Sequence, residues 1–121
     1  MIIKTVDHIK ITVPTDCAEQ ARDFYIGILG LTEIPKPEPV KKNGGFWLNA
    51  GGVEVHVGLE DGIDRHNSSA HLGYLVDDAA AWREKLKNAG YEILKATAIA
   101  DVERFYIRDP FGNRIEFMQR L

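Results

Sequence analysis

Apolar and polar residues alternate over residues 5–13, Thr-Val-Asp-His-Ile-Lys-Ile-Thr-Val. The alternation predicts a strand with Ile9, Ile11 and Val13 on one face and His8, Lys10 and Thr12 on the other. Pro14 ends the run. Asp16, with Glu19 three residues on, reads as the capping box of a helix over 16–29. Its apolar stripe is Ala21, Phe24, Tyr25 and Ile28, and Gly30 is the residue just past its end. A short strand follows over 31–35, then an irregular loop rich in Pro, Lys and Gly up to Gly45. Phe46–Asn49 and Val53–Gly58 read as strands joined by a tight turn at 50–52. Residues 60–69 are polar and turn-rich, which suits a linker.

The same order then recurs. A strand spans 70–76, Asp77 caps a helix over 78–89 with the stripe Ala79, Trp82, Leu86 and Ala89, and Gly90 ends it. Strands follow near 91–95, 104–108 and 114–119. The pattern therefore predicts an α+β chain of two βαβββ modules in tandem, about 1–60 and about 69–121, with a linker at about 60–68. Laying His8 on His71 puts Ile9 on Leu72, and Phe46-Trp47-Leu48 falls on Phe105-Tyr106-Ile107. Val53-Glu54-Val55 falls on Ile115-Glu116-Phe117 once three extra residues are allowed in the turn Asp109-Pro110-Phe111-Gly112.

The repeat gives meaning to four polar residues. His8 precedes Glu54 by 46 residues, and His71 precedes Glu116 by 45. Ile9, Val53 and Val55, Leu72, and Ile115 and Phe117 claim the helix-packed face of their strands, so His8, Glu54, His71 and Glu116 share the other face. If the sheets curl, that face is concave. Two carboxylates buried together need a proton or a cation, and with two neutral imidazoles they form a ligand set for a divalent metal. His56 lies two residues beyond Glu54 on the same face, so either can serve as the third ligand. Internal symmetry favours Glu54, which leaves His56 beside the substrate or behind the ligands. Trp47 and Tyr106 are repeat partners facing the same way. The Tyr106 hydroxyl is placed to meet a substrate oxygen, and the Lys10 ammonium either binds an anionic group or reaches back to water. His66 lies in the linker and reads as a surface residue.

Bulk properties narrow the function. With 121 residues the chain suffices for one ordinary domain. The net charge of −3, with no basic stripe, argues against nucleic acid or an anionic membrane as partner. The longest apolar run is too short for a transmembrane helix, and residues 1–8 lack a signal-peptide layout. Cys17 is the single cysteine, which fits a reducing cytoplasmic compartment and offers no internal disulfide. Nucleotide-binding loops, CxxC pairs and a GxSxG elbow are missing.

These residues resemble the vicinal oxygen chelate superfamily, the glyoxalase/bleomycin-resistance/dioxygenase family. The matching pieces are Asp7-His8-Ile9, Ala21-Arg22-Asp23-Phe24-Tyr25 with Leu29-Gly30-Leu31, Ala70-His71-Leu72, and Phe105-Tyr106 followed by Asp109-Pro110-Phe111-Gly112-Asn113-Arg114-Ile115-Glu116-Phe117. The resemblance covers almost the whole chain. It implies two curled mixed sheets around a metal, helices on the outer face, and a homodimer whose cavities draw on both chains. It carries ligand roles onto His8, Glu54, His71 and Glu116, a set similar to that of glyoxalase I.

The resemblance implies a divalent metal (nickel, zinc, manganese or iron) that holds a small-molecule substrate by two neighbouring oxygens. Glu116 or Glu54 would then carry a proton in a lyase or isomerase reaction. Lys10, His56, Tyr106 and Trp47 would contact the substrate. The pattern departs from glyoxalase I at Thr12, where that enzyme carries an Arg. It departs from fosfomycin-modifying relatives at Lys10 and over residues 96–101, which lack their potassium loop. Two other readings follow from the same resemblance: a metal-free antibiotic-binding protein of the bleomycin-resistance kind, and a non-haem iron dioxygenase using His8, His71 and Glu116.

Overall fold

The computed structural model describes residues 1–121, which divide into two compact units, Met1–Ile63 and Asp64–Leu121. No helix is long and apolar enough to cross a membrane.

The first unit runs β1 (His8–Val13), a helical segment, β2 (Thr32–Ile34), β3 (Phe46–Ala50) and β4 (Val53–Leu59). Its four strands lie in the order β1-β4-β3-β2, with β1 and β4 parallel and the other pairs antiparallel. The alternation seen in the sequence sets the faces. Val13, Phe46, Leu48, Val55 and Val57 are buried on the helix side with Ala21, Phe24 and Tyr25. The helical segment begins as α1 (Ala18–Arg22) and widens into a π-helical stretch, Asp23–Ile28. There Leu29 N donates to Phe24 O, five residues back. Gly30, at φ +77°, ends it as expected.

The capping box at Asp16 does not form. Cys17 is the N-cap and has no side-chain cap, because Cys17 N is drawn back to Pro14 O, Asp16 accepts from Cys17 Sγ, and Glu19 pairs with Arg22. The loop after Pro35 also carries more structure than its composition suggests, a 3₁₀ segment over Glu38–Asn43.

The second unit repeats the plan. β5 (His71–Leu75), α2 (Ala79–Asn88), β6 (Leu94–Lys95), β7 (Val102–Arg108) and β8 (Arg114–Arg120) give the order β5-β8-β7-β6, again with the first pair parallel. Asp78, one residue later than the sequence suggests, caps α2 by accepting from Ala81 N. Trp82 of α2 stacks on Phe117, which stacks on Phe105, so the helix covers one face of this sheet. His71, Glu116 and Tyr106 are left on the other. The tandem βαβββ architecture is therefore present in full.

The ladders correct the sequence registration of the halves. Trp47 pairs with His56, and Tyr106 with Glu116. Phe46 pairs with Val57, and Phe105 with Phe117. Across the parallel pairs, Lys10 faces His56 and His8 faces Glu54, whereas Gly73 faces Glu116 and His71 faces Arg114. The structural counterpart of Glu116 is thus His56, and that of Glu54 is Arg114. Counting had placed three extra residues in the second hairpin turn. The strands absorb the difference, since Trp47 to His56 is nine residues and Tyr106 to Glu116 is ten.

Candidate metal and substrate site

In the second unit, β5 and β8 bring His71 and Glu116 together. His71 Nε2 lies 3.2 Å from Glu116 Oε1. The other ring nitrogen, Nδ1, is 2.9 Å from the Ser69 carbonyl oxygen. A carbonyl only accepts, so Nδ1 carries the hydrogen. In a neutral ring Nε2 is then a bare lone pair aimed at a carboxylate. Two acceptors at this distance repel unless a proton or a cation lies between them. The Glu116 side chain is 9% exposed, so water does little to relieve this.

Two arginines complete this face. Arg104 lies two residues before Tyr106 on β7. Its Nε and Nη2 donate to Thr97 O, and its Nη1 donates to the Tyr106 hydroxyl oxygen at 2.8 Å. The same Nη1 is 3.5 Å from Glu116 Oε2. Arg114 lies two residues before Glu116 on β8 and stacks on the Tyr106 ring at 3.8 Å. The edge of the His71 ring meets Tyr106 with centroids 5.1 Å apart. The sequence reading missed both arginines, although their two-residue offsets from Tyr106 and Glu116 put them on the same face.

In the first unit, Trp47, His56 and His8 form a three-deep stack. The Trp47 and His56 rings are 3.7 Å apart and nearly parallel, and those of His56 and His8 are 4.2 Å apart. His56 Nε2 lies 2.9 Å from Glu54 Oε1, and His8 Nδ1 lies 2.9 Å from Asp7 Oδ2. Each imidazole therefore hands one nitrogen to a carboxylate and keeps the other. Oxygen partners of this kind orient metal-ligating histidines. His8 remains 48% exposed, more open than a ligand on an enclosed face would be. Lys10 reaches along the same face over Gly58, where a side chain on residue 58 would collide with it. Lys10 lines a cavity of about 350 Å³ with Thr12, Leu59 and Glu60. His66 is exposed, and its ring packs against Gly112.

No group of three or more His, Cys, Asp or Glu side chains stands close enough to hold a metal ion in this structure. The donors instead form two half-sets, each an imidazole-carboxylate constellation on its own sheet. Imidazole nitrogen and carboxylate oxygen suit divalent first-row metals, and the facing acceptors of His71 and Glu116 fit a cation between them.

Comparison with known proteins agrees with this architecture. Residues 5–117 match the Glyoxalase/Bleomycin resistance protein/Dioxygenase superfamily. The chain belongs to that superfamily. A solved structure described as a glyoxalase family protein from Bacillus anthracis is 40% identical with a TM-score of 0.91, the match covering 100% of this chain and 98% of that one. A virulence protein of Salmonella typhimurium is 25% identical over the whole of both chains, with a TM-score of 0.72. The fosfomycin resistance protein FosX from Listeria monocytogenes shares the fold at a TM-score of 0.80 with 14% identity, over 99% of this chain and 96% of that one. No curated protein matched.

Proposed function

We propose that this protein is a metal-dependent enzyme that moves a proton on a small substrate bearing two neighbouring oxygens, as a lyase or isomerase. The observation that carries this reading is the facing pair of His71 Nε2 and Glu116 Oε1, which calls for positive charge, a proton or a cation, between them. His71 and Glu116 would hold the ion in the second unit. The corresponding pair in the first unit is His8 and His56, since His56 stands where Glu116 stands in the repeat. In this reading Glu54 is the carboxylate that orients His56 rather than a ligand itself.

A divalent cation supplies Lewis acidity to substrate oxygens when bound. The protein's own groups do the rest. Glu116 accepts the proton from the substrate carbon and returns it, with its Oε2 steadied by Arg104. Tyr106 receives a hydrogen bond from Arg104, so its own hydrogen is available to a substrate oxygen as charge develops there. Trp47 supports His56 from behind by stacking. Lys10 and its cavity offer room and positive charge at the end of the first sheet.

The functional particle in this proposal is a homodimer. Met1, Ile2, Ile3 and Val6 are strongly exposed apolar residues that a second copy would cover, and sedimentation of the purified protein tests this. The reaction is tested by incubating metal-reconstituted protein in deuterated water with small α-hydroxycarbonyl compounds and with thiol adducts of dicarbonyls. Enzyme-dependent exchange at the carbon next to the carbonyl, lost in Glu116→Gln, is the expected result. Ligand binding by metal-free protein, with no exchange in any metal-loaded form, would replace the enzyme reading with a binding role.

A further inference from the structure

The sheet face that carries His8 and His56 continues to the end of the first sheet with Lys10, Thr12, Gly58 and Glu60. Thr12 and Gly58 are ladder partners, and Glu60 N donates to Val13 O at 2.8 Å, so pairing and alternation run one residue past β4. Gly58 is buried within the strand and its φ is not positive, so its backbone conformation is open to any residue. A glycine inside a strand weakens it, and often marks a place where something approaches closely. Here that neighbour is Lys10. A Cβ on residue 58 would collide with Lys10 Cε and stand 3.1 Å from its Nζ. The lysine tail therefore lies down along the sheet, and its ammonium makes no ion pair or hydrogen bond within the chain. It lines a cavity of about 350 Å³ together with Thr12, Leu59 and Glu60. A cation and a carboxylate thus border one open cavity without pairing with each other.

We propose that this cavity binds the α-amino-acid end of a ligand, a carboxylate and an ammonium carried on one carbon. The carboxylate accepts from Lys10 Nζ, and the ammonium donates to the Glu60 carboxylate. Leu59 offers apolar surface to the carbon atoms beside them. A simple anion would meet Glu60 and a simple cation would meet Lys10, each against like charge, whereas a dipolar group is complementary to both walls. The volume lies at the lower end of the roughly 300–1,000 Å³ of ligand pockets, which suits a group of this size. Gly58 is two strand residues from His56 on the same face, about 7 Å, so a substrate held beside His56 reaches the cavity with one end. As an assignment of substrate class this rests on the proposed function, but the dipolar site itself belongs to the first unit alone.

The test titrates metal-free full-length protein labelled with ¹⁵N, followed at the backbone amides of Thr12, Leu59 and Glu60. L-Alanine is the dipolar probe. Propionate is the same molecule without its ammonium, and ethylammonium the same molecule without its carboxylate. Saturable shifts with alanine are expected, at a Kd at least about tenfold below that of either fragment, the effect of one charge-assisted hydrogen bond. Lys10→Met removes the cation at similar length, and Glu60→Gln removes the carboxylate charge at the same shape. Each should weaken alanine binding by about tenfold while the dispersed wild-type spectrum is retained. Gly58→Ala leaves both charges in place but displaces the lysine tail, and should weaken alanine binding as well. No saturable shift, a fragment that binds as tightly as alanine, or unchanged alanine affinity in any of the three variants would overturn the site. Metal uptake without alanine binding defeats this inference alone, and alanine binding without metal uptake defeats the proposed function alone.

Discussion

His71 Nε2 and Glu116 Oε1 face each other across 3.2 Å, while the opposite nitrogen of the same ring is tied to the Ser69 carbonyl. That tie decides which nitrogen is bare, and so turns a contact between two side chains into a demand for positive charge. The buried carboxylate and the backbone carbonyl are both acceptors, so the ring cannot satisfy both while neutral. Arg104 touches the far oxygen of Glu116 but does not lie between the pair.

The ladder register separates the roles of two neighbours. His56 holds the place in the first sheet that Glu116 holds in the second, and Glu54 accepts from it at 2.9 Å. Glu54→Gln should weaken metal binding by about 10–100-fold, the usual effect of losing an outer-shell partner, and His56→Ala should weaken it further. Isothermal titration with nickel or zinc compares the two. A larger loss in Glu54→Gln would restore Glu54 as the ligand.

Asp109 holds the second hairpin turn closed. Its Oδ1 accepts from the backbone N–H groups of Phe111 and Asn113, its Oδ2 accepts from Asn113 Nδ2, and the residue is 4% exposed. Asp109→Ala leaves these donors unpaired in a buried turn and should lower stability by about 2–4 kcal/mol. Urea unfolding measures this as a lower midpoint at unchanged slope. Because the turn sets where β8 begins, metal affinity should fall with it.

Tyr74 should be replaceable by Phe without loss. Its hydroxyl is buried with no hydrogen-bond partner. Burial, and then the charge of Asp109, pushes its pKa well above the ordinary 10.0. The sign follows from proton counts. Above about pH 10 the unfolded chain releases this proton while the folded chain keeps it, so stability is present below that pH and is lost as pH rises further. Thermal melts should show Tyr74→Phe equal to or up to about 1 kcal/mol more stable than wild type at neutral pH, and less sensitive to alkali. A large loss at neutral pH would mean that the hydroxyl has a partner in solution.

Much of the fold was legible because strand alternation sorts residues between two faces. Ile9, Ile11 and Val13 against His8, Lys10 and Thr12 define the first sheet, and Ile115 and Phe117 against Glu116 define the second. Local competition hid the rest. Asp16 and Glu19 form a capping box on paper, yet Cys17 N, Cys17 Sγ and Arg22 take up the groups it needs. The hairpin register was misread because sequence counting cannot tell residues in a turn from residues added to a ladder. Arg104 escaped notice because its partner, the Thr97 carbonyl, belongs to an irregular segment whose course no side-chain pattern reveals. Arg114 was within reach, two residues before Glu116 on an alternating strand, but a strand arginine without a visible partner gives no signal until Tyr106 is seen beneath it.

Equilibrium dialysis of metal-free protein against nickel, zinc, manganese and iron(II), with bound metal quantified alongside protein, tests the central claim most directly. Wild type should retain a stoichiometric ion of at least one of these metals. His71→Ala and Glu116→Gln should each lose affinity by more than the roughly 10–100-fold that an outer-shell partner contributes, while remaining folded by circular dichroism. Wild type that retains no stoichiometric ion of any of the four, or variants that bind as tightly as wild type, would contradict the reading of His71 and Glu116 as a cation site.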